Sequence, residues 1–421
     1  MSRIPTLPID VFRNPKTRIR NGVSGIKSNN ESIAEVRSCQ LTLLRLLSPS
    51  IGSEMRAHVR KGLILLGLVL MGVVTAPPSV AIAANATSMV IQTERVFGPE
   101  VPTGRYKHPV CITDLQSGDL LLAYYGGDGE YSSTTSVFGS RRTRGSKRWS
   151  QPQVLAHNPM YAMGNPVVWQ APDLTVWLFF VVRPGDTWSS SRIMAKTSKD
   201  EGKTWTDPFV VTWEAGTMVR GRPLAISRDR FLLPVYHETG DNPEFTGPDT
   251  SSFFLLFDSQ AKRWTESDRI HSRMGNLQPA VASIAGDHLL AMCRRAGDYV
   301  AGHEGYVVRS ESTDGGKTWS AGVETTFPNP NAAVELIRLR NGHLLFVFNN
   351  SMNDRTPLTA AISTDGGRSF PYLKNLAEGP GDFGYPTAIQ TPDGKIHVTY
   401  TSDERSVIRH AVFDESAVLG R

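Results

Sequence analysis

Three arginines and several carboxylates stand where they could work on an anionic sugar. Arg222, Arg294 and Arg355 could together hold a carboxylate or sulfate through forked hydrogen bonds. Asp128 and Glu130 sit on a glycine-rich tip, Gly126-Gly127-Asp128-Gly129-Glu130, that can approach a ligand closely. A carboxylic acid there could protonate a glycosidic oxygen. Tyr385, with Glu238 as its carboxylate partner, could act as a nucleophile, a recognised variant among glycosidases. His108 could instead serve as acid or base, or could simply bond a neighbouring strand.

What brings such scattered residues together is a repeat. Ser198-Lys-Asp200-Glu-Gly202-Lys-Thr204-Trp205 recurs as Ser312-Thr-Asp314-Gly-Gly316-Lys-Thr318-Trp319 and as Ser363-Thr-Asp365-Gly-Gly367-Arg-Ser369-Phe370. Degenerate copies end at Trp149 and Trp264, so the aromatic anchors are 56, 59, 55 and 51 residues apart. A second series, in another phase, has a residue-Pro step opening an apolar run at Pro109, Pro166, Pro223, Pro279 and Pro386, with Ala332 filling the remaining slot. These positions are 57, 57, 56, 53 and 54 residues apart. Each unit reads as four strands, in the first unit Val110 to Leu115, Leu120 to Tyr125, a third near Ser136 to Ser140, and a fourth after the Asp/Gly turn. Six such units predict an all-β, six-bladed β-propeller of four-stranded antiparallel blades. The segment Met89 to Arg95 is expected to pair with strands near the C-terminus and close the ring.

In this topology the first strands start, and the second strands end, on one face, while the repeated boxes lie on the other. The box is therefore a signature of the fold and not a reaction centre. The chemical face receives Lys107, His108, Asn165, Arg222, Gln278, Asn331 and Tyr385 from first-strand starts. Second-strand ends add Asp128 and Glu130, Arg183 and Asp186, Tyr236 and Glu238, Arg294 and Arg295, Asn350 and Arg355, and Asp403 to Arg405. Catalytic candidates are thus Glu130, Asp128, Tyr385, Glu238 and His108. Binding candidates are Lys107, Asn165, Arg222, Gln278, Arg294, Asn331, Asn350 and Arg355.

The net charge of +5 is unevenly distributed over the 421 residues. Residues 1–83 hold 11 Lys/Arg against 4 Asp/Glu, and the remainder 34 against 36, so the basic balance gives no reason to expect a nucleic-acid partner. Met55 to Lys61 is a basic stretch, followed by an apolar run from Gly62 to Ala76 and small residues at Ala81 and Ala83. That order predicts a secretory signal over 55–83, with 1–54 a disordered extension or a misread start and the propeller over 88–416. The run is shorter than a spanning helix needs, so a secreted or periplasmic protein without stable membrane insertion is expected. Beyond it only Cys111 and Cys293 remain, with no His cluster for zinc. No cofactor fingerprint is present, and neither metal nor cofactor is expected.

The boxes and the six-fold period resemble the sialidase superfamily, and more closely its BNR-repeat sialidase-like group. The stretches that carry the likeness include Tyr124-Tyr125-Gly126-Gly127 with Glu130, Asn165-Pro166-Val167, Arg222-Pro223-Leu224, Gln278-Pro279, Pro328-Asn329-Pro330-Asn331, Asn350 with Arg355-Thr356-Pro357-Leu358, and Tyr385-Pro386-Thr387-Ala388-Ile389-Gln390. Tyr400-Thr401 with Ile408-Arg409-His410 completes a match over about residues 100–415. The resemblance implies an exo-acting hydrolase removing terminal sialic acid from a glycan; a monomer is expected. It also implies three arginines on the sugar carboxylate, an acid/base carboxyl at Asp128 or Glu130, and a Tyr–Glu nucleophile pair using Tyr385. Where that family has Arg-Ile-Pro, this chain has Lys107-His108-Pro109. A hydrolase or lyase on uronate or sulfated polysaccharide, a propeller that binds glycan without chemistry, and a protein-binding scaffold therefore stay open.

Overall fold

The computed structural model describes residues 90–242, 245–300 and 304–420. The expectations for residues 1–54 and 55–83 lie outside the described residues. Within them the strands form six antiparallel sheets, and the sheets make a six-bladed propeller. Blade 1 comprises Tyr106–Asp114, Leu120–Gly127, Ser136–Arg142 and Gln153–Ala156. Blade 2 comprises Ala162–Gln170, Val176–Arg183, Arg192–Ser198 and Phe209–Thr212. Blades 4 and 5 open with Asn276–Ala285 and Glu335–Arg338. In blade 6, Gly384–Gln390, Ile396–Ser402 and Val407–Phe413 are joined by Gln92–Phe97 from the other end of the chain, with Gln92 opposite Val412 and Glu94 opposite His410. First strands of adjacent blades pack side by side around the ring, blade 1 touching both blade 2 and blade 6.

The inner strands read as nearly continuous apolar runs because both faces of each blade are covered by neighbours. Leu120–Gly127 is buried throughout, whereas the outermost strand Phe209–Thr212 is partly exposed. The box aromatics fasten one blade to the one before it. Trp319 of blade 4 stacks on Phe254 of blade 3 at 4.4 Å, Phe370 of blade 5 meets Phe327 of blade 4 at 5.8 Å, and Trp149 of blade 1 meets His410 of blade 6 at 5.9 Å. Cys111 and Cys293 are buried free thiols in different blades.

First strands share one irregularity. Their pairing register shifts between Lys107 and Val110, Gly164 and Val167, Leu277 and Ala280, and Gly384 and Thr387, each time across a residue-Pro step. Proline lacks the ladder N–H and pushes its predecessor out of the helical region, so the step breaks the regular pleat. Asn165, Gln278 and Tyr385 take positive φ there (44°, 53° and 57°), and His108-Pro109 is cis. Such bulges turn a side chain out of strict alternation. In blade 3 the break is complete: the first strand is split into Thr217–Val219 and Leu224–Ala225. Gly221 lies between the halves, where a Cβ would come within 2.1 Å of the Pro279 carbonyl oxygen.

Each box is a hydrogen-bonded turn on the face opposite the first-strand starts. Asp314 accepts from the Ser312 and Thr318 hydroxyls at 2.8 and 2.7 Å and from the Lys317 and Thr318 amides at 3.0 Å each. Those hydroxyl and amide donors outweigh its slight desolvation and hold the carboxyl down at about 2. A depressed folded-state pKa means that the contribution is full at neutral pH, begins to fall below the ordinary carboxyl value of 3.8 and is lost as pH drops through about 2. Asp314→Ala is expected to lower the melting temperature by about 2–4 °C at pH 7. An unchanged melting curve would contradict the structural role of the box.

Candidate active site

A cavity opens on the axis at the face of the first-strand starts. Blade 1 contributes His108, Tyr125, Glu130 and Tyr131, while Asn165 and Trp188 come from blade 2 and Tyr236 and Glu238 from blade 3. Gln278, Arg294 and Tyr299 line it from blade 4, and Tyr385 from blade 6. Arg294 is buried and oriented by four neighbours. Its Nε donates to Asn331 Oδ1 at 2.6 Å, Nη1 to Gln278 Oε1 at 3.0 Å and to the Tyr385 hydroxyl at 2.9 Å, and Nη2 to the Tyr299 hydroxyl at 2.5 Å. Asn331 is itself anchored on the carbonyls of Gly297 and Asp298. The fork is therefore set before any ligand arrives.

Arg355 and Arg405 also act on Tyr385. Arg355 lies 5.3 Å from its ring centre and donates to the Asn331 carbonyl at 3.2 Å. Arg405 donates to Glu130 and, at 3.2 Å, to the Tyr106 hydroxyl. Burial alone would push the Tyr385 phenol up. Arg294, Arg355 and Arg405 outweigh it and bring the phenol down to about 8. For Glu238 burial wins over Arg294 and, with Glu130 nearby, raises the carboxyl to about 7.

His108 is buried, and its ring stands edge-on to Tyr385 at 4.0 Å. Desolvation and four arginines keep its pKa well below the usual range, so the imidazole is neutral. The Thr401 hydroxyl donates to the Gly384 carbonyl, so His108 Nδ1 must be the donor in its 2.7 Å bond to Thr401 Oγ1. The tautomer assigned from that network leaves Nε2 a bare, buried acceptor and removes the acid role.

The BNR repeat-like domain pattern matches residues 118–398. The chain belongs to the BNR repeat-like family. Solved structures share the fold. A Hadza microbial sialidase is 17% identical with a TM-score of 0.65, the match covering 77% of this chain and 69% of that one. The intramolecular trans-sialidase from Ruminococcus gnavus is 15% identical, with a TM-score of 0.63 and coverage of 77% and 97%. A Dyadobacter fermentans protein of unknown function is 18% identical, with a TM-score of 0.63 and coverage of 76% and 98%. No curated protein matches the chain.

In this BNR repeat-like propeller, Glu130, Glu238, His108, Tyr385, Asn165, Gln278 and Arg294 line one cavity. Asn331 supports Arg294, and Arg355 stands beside Tyr385. Four other candidates are directed elsewhere. Lys107 alternates away from His108 and gives its Nζ to the Gly104 carbonyl at 2.5 Å. Asp128 is exposed and accepts from the Thr134 hydroxyl at 3.0 Å, leaving the inner position to Glu130. Arg222 donates to the Ala388 carbonyl at 2.9 Å, below the cavity lining. Asn350 is exposed, and its neighbour Asn349 turns inward instead. Among the described residues no group of three or more His, Cys, Asp or Glu is placed to hold a metal ion.

Sequence reasoning placed Arg405, Tyr236 and Arg183 on the chemical face without giving them a role, and missed Tyr299 and the aromatic wall beside Glu130. There Arg183 makes cation–π contacts with the Tyr131 and Trp188 rings at 4.8 and 4.7 Å, and the two rings meet each other at 6.1 Å. The Tyr236 hydroxyl receives Asn165 Nδ2 at 3.1 Å and Gln278 Nε2 at 3.4 Å. Arg405 was legible as a second-strand end, but its direction depends on a turn in which Asp403, Glu404 and Arg405 are all left-handed (54°, 55° and 63°). An ultraviolet titration of the wild type minus Tyr385→Phe is expected to show one phenol ionising near pH 8, about two units before ordinary tyrosines. A midpoint at 10 or above would show that the guanidiniums do not act on Tyr385 as described.

Proposed function

We propose that this protein is an exported, exo-acting glycosidase of sialidase type that removes a terminal anionic sugar, such as sialic acid, from a glycan. The observation that carries the reading is the Tyr385 hydroxyl, 2.9 Å from Arg294 and surrounded by guanidiniums, with Glu130 and Glu238 on the same cavity. The sialidase and trans-sialidase names of its structural neighbours support the substrate class.

Arg294, Arg355 and Arg405 would receive the sugar carboxylate. An incoming carboxylate competes with Glu130 for Arg405. Released from that pair, Glu130 can carry a proton. Tyr385 Oη then attacks the anomeric carbon and passes its proton to Glu238. The glycosidic C–O bond breaks, and Glu130 gives its proton to the leaving oxygen. In the second half, water attacks the anomeric carbon, Glu130 takes a water proton, and the bond to Tyr385 breaks as Glu238 returns the proton. The sequence retains anomeric configuration, as two displacements at one carbon must. The bare Nε2 of His108 would accept a hydrogen bond from a substrate hydroxyl.

A panel of acidic glycans, read by mass for released monosaccharide, tests the activity. Tyr385→Phe and Glu130→Gln are each expected to lower kcat by at least about 100-fold while leaving the melting temperature unchanged. Binding of a panel member without any product in the wild type would favour a lectin-like propeller instead. Export rests on residues 55–83; N-terminal sequencing of secreted protein is expected to begin at Ala84, and a mature chain retaining Ser2 would overturn it.

A further inference from the structure

The broken first strand of blade 3 carries two arginines that do not face the cavity. Arg220 is 3% exposed; its Nη2 donates to the Pro386 carbonyl, and its guanidinium lies 5.6 Å from the Tyr385 ring centre. Arg222 Nη1 donates to the Ala388 carbonyl at 2.9 Å. Both carbonyls belong to the blade 6 strand that bears Tyr385, on the opposite side of the ring. That strand's own ladder is interrupted between Gly384 and Thr387. Glu335, 1% exposed on the first strand of blade 5, stands near both arginines. Its Oε1 accepts from the Leu336 amide at 3.1 Å, while Oε2, Arg220 Nε and Arg222 Nε have no partner.

Burying two cations and one anion is costly, and apolar packing would fill the same space at least as stably. We propose that Arg220, assisted by Arg222 and Glu335, is a cross-axis brace that positions Tyr385 by gripping its bulged strand from the far blade. The proposal rests on the reading of Tyr385 as nucleophile. One carboxylate against two guanidiniums leaves positive charge directly below the phenol. The other charged groups facing Tyr385 are Arg294, Arg355 and Arg405, with Glu130 opposing them and Glu238 on the same cavity; His108 and Tyr236 are neutral. Glu335 faces Arg220, Arg222 and the Cys111 thiol.

The test is the Tyr385 titration in Arg220→Gln, Arg220→Lys and Glu335→Gln, each read against the same variant carrying Tyr385→Phe. Arg220→Gln removes a cation and is expected to raise the midpoint by about half a unit or more. Arg220→Lys is expected to restore most of that shift. Glu335 is mostly ionised at pH 8, so Glu335→Gln removes an anion and is expected to move the midpoint down. If the wild type turns over substrate, Arg220→Gln is also expected to lower kcat at least tenfold with KM within about twofold, because the carboxylate-binding arginines are untouched. Midpoints that stay in place while the melting temperature falls would overturn the brace. Should Arg220→Gln not fold, an unmoved midpoint in Glu335→Gln and Arg220→Lys overturns it equally. A wild type without turnover would defeat the glycosidase reading alone, since the titration does not depend on substrate.

Discussion

Closure of six sheets around one axis is the constraint from which the site follows. A closed ring has no free inner edge, so each blade can present only the start of its first strand and the turn after its second to the centre. The ring closes through Gln92–Phe97, and Glu94 ties that seam on both sides. It accepts from His410 Nδ1 at 2.7 Å within blade 6 and from Arg142 at 2.8 Å and Trp149 at 3.3 Å in blade 1. Convergence also needs the proline-linked bulges. Without a bulge, alternation would give each blade's inward position to a neighbour of the residue now there, as Lys107 beside His108 illustrates.

Electrostatics explains why so much charge is gathered in so little volume. Arg294 is bonded almost wholly by neutral acceptors, namely Asn331, Gln278, Tyr299 and Tyr385. Neutral partners satisfy its geometry but not its charge, so positive potential persists in the cavity. That potential stabilises the Tyr385 phenolate and suppresses a proton on His108, two effects of one sign. The same field favours an anionic ligand over a neutral one.

The fold was legible because two sequence periods, the box and the residue-Pro step, report the same repeat in different phases. The site was legible wherever topology alone decides which face a residue reaches, as for Glu130, Glu238, Arg294 and Tyr385. It was not legible where a single rotation of the backbone decides. Arg222 shares its slot with Asn165 and Gln278, yet its long side chain passes under the cavity to a carbonyl across the axis. Lys107 and His108 are adjacent, and only the bulge determines which one turns inward. Arg220 and Glu335 carry no motif, and their association exists only once blades 3, 5 and 6 face one another.

Lys107-His108-Pro109 brings no guanidinium to the cavity from the first strand of blade 1. A guanidinium nevertheless acts on His108 and Tyr385 from across the seam. Arg405 arrives from blade 6 on a turn of three consecutive left-handed residues, a conformation unfavourable for side chains with a Cβ and retained only where surroundings dictate it. Its carbonyl accepts the Lys107 amide at 2.8 Å, so the residue turned away from the cavity anchors the turn that supplies the charge. An arginine at position 108 would bring a second cation against Arg405 in a buried space. A neutral imidazole there avoids that repulsion and adds an acceptor. Lys107 and Arg405 thus act together across the closure of the ring, one holding the turn by its backbone and the other giving the cavity its charge.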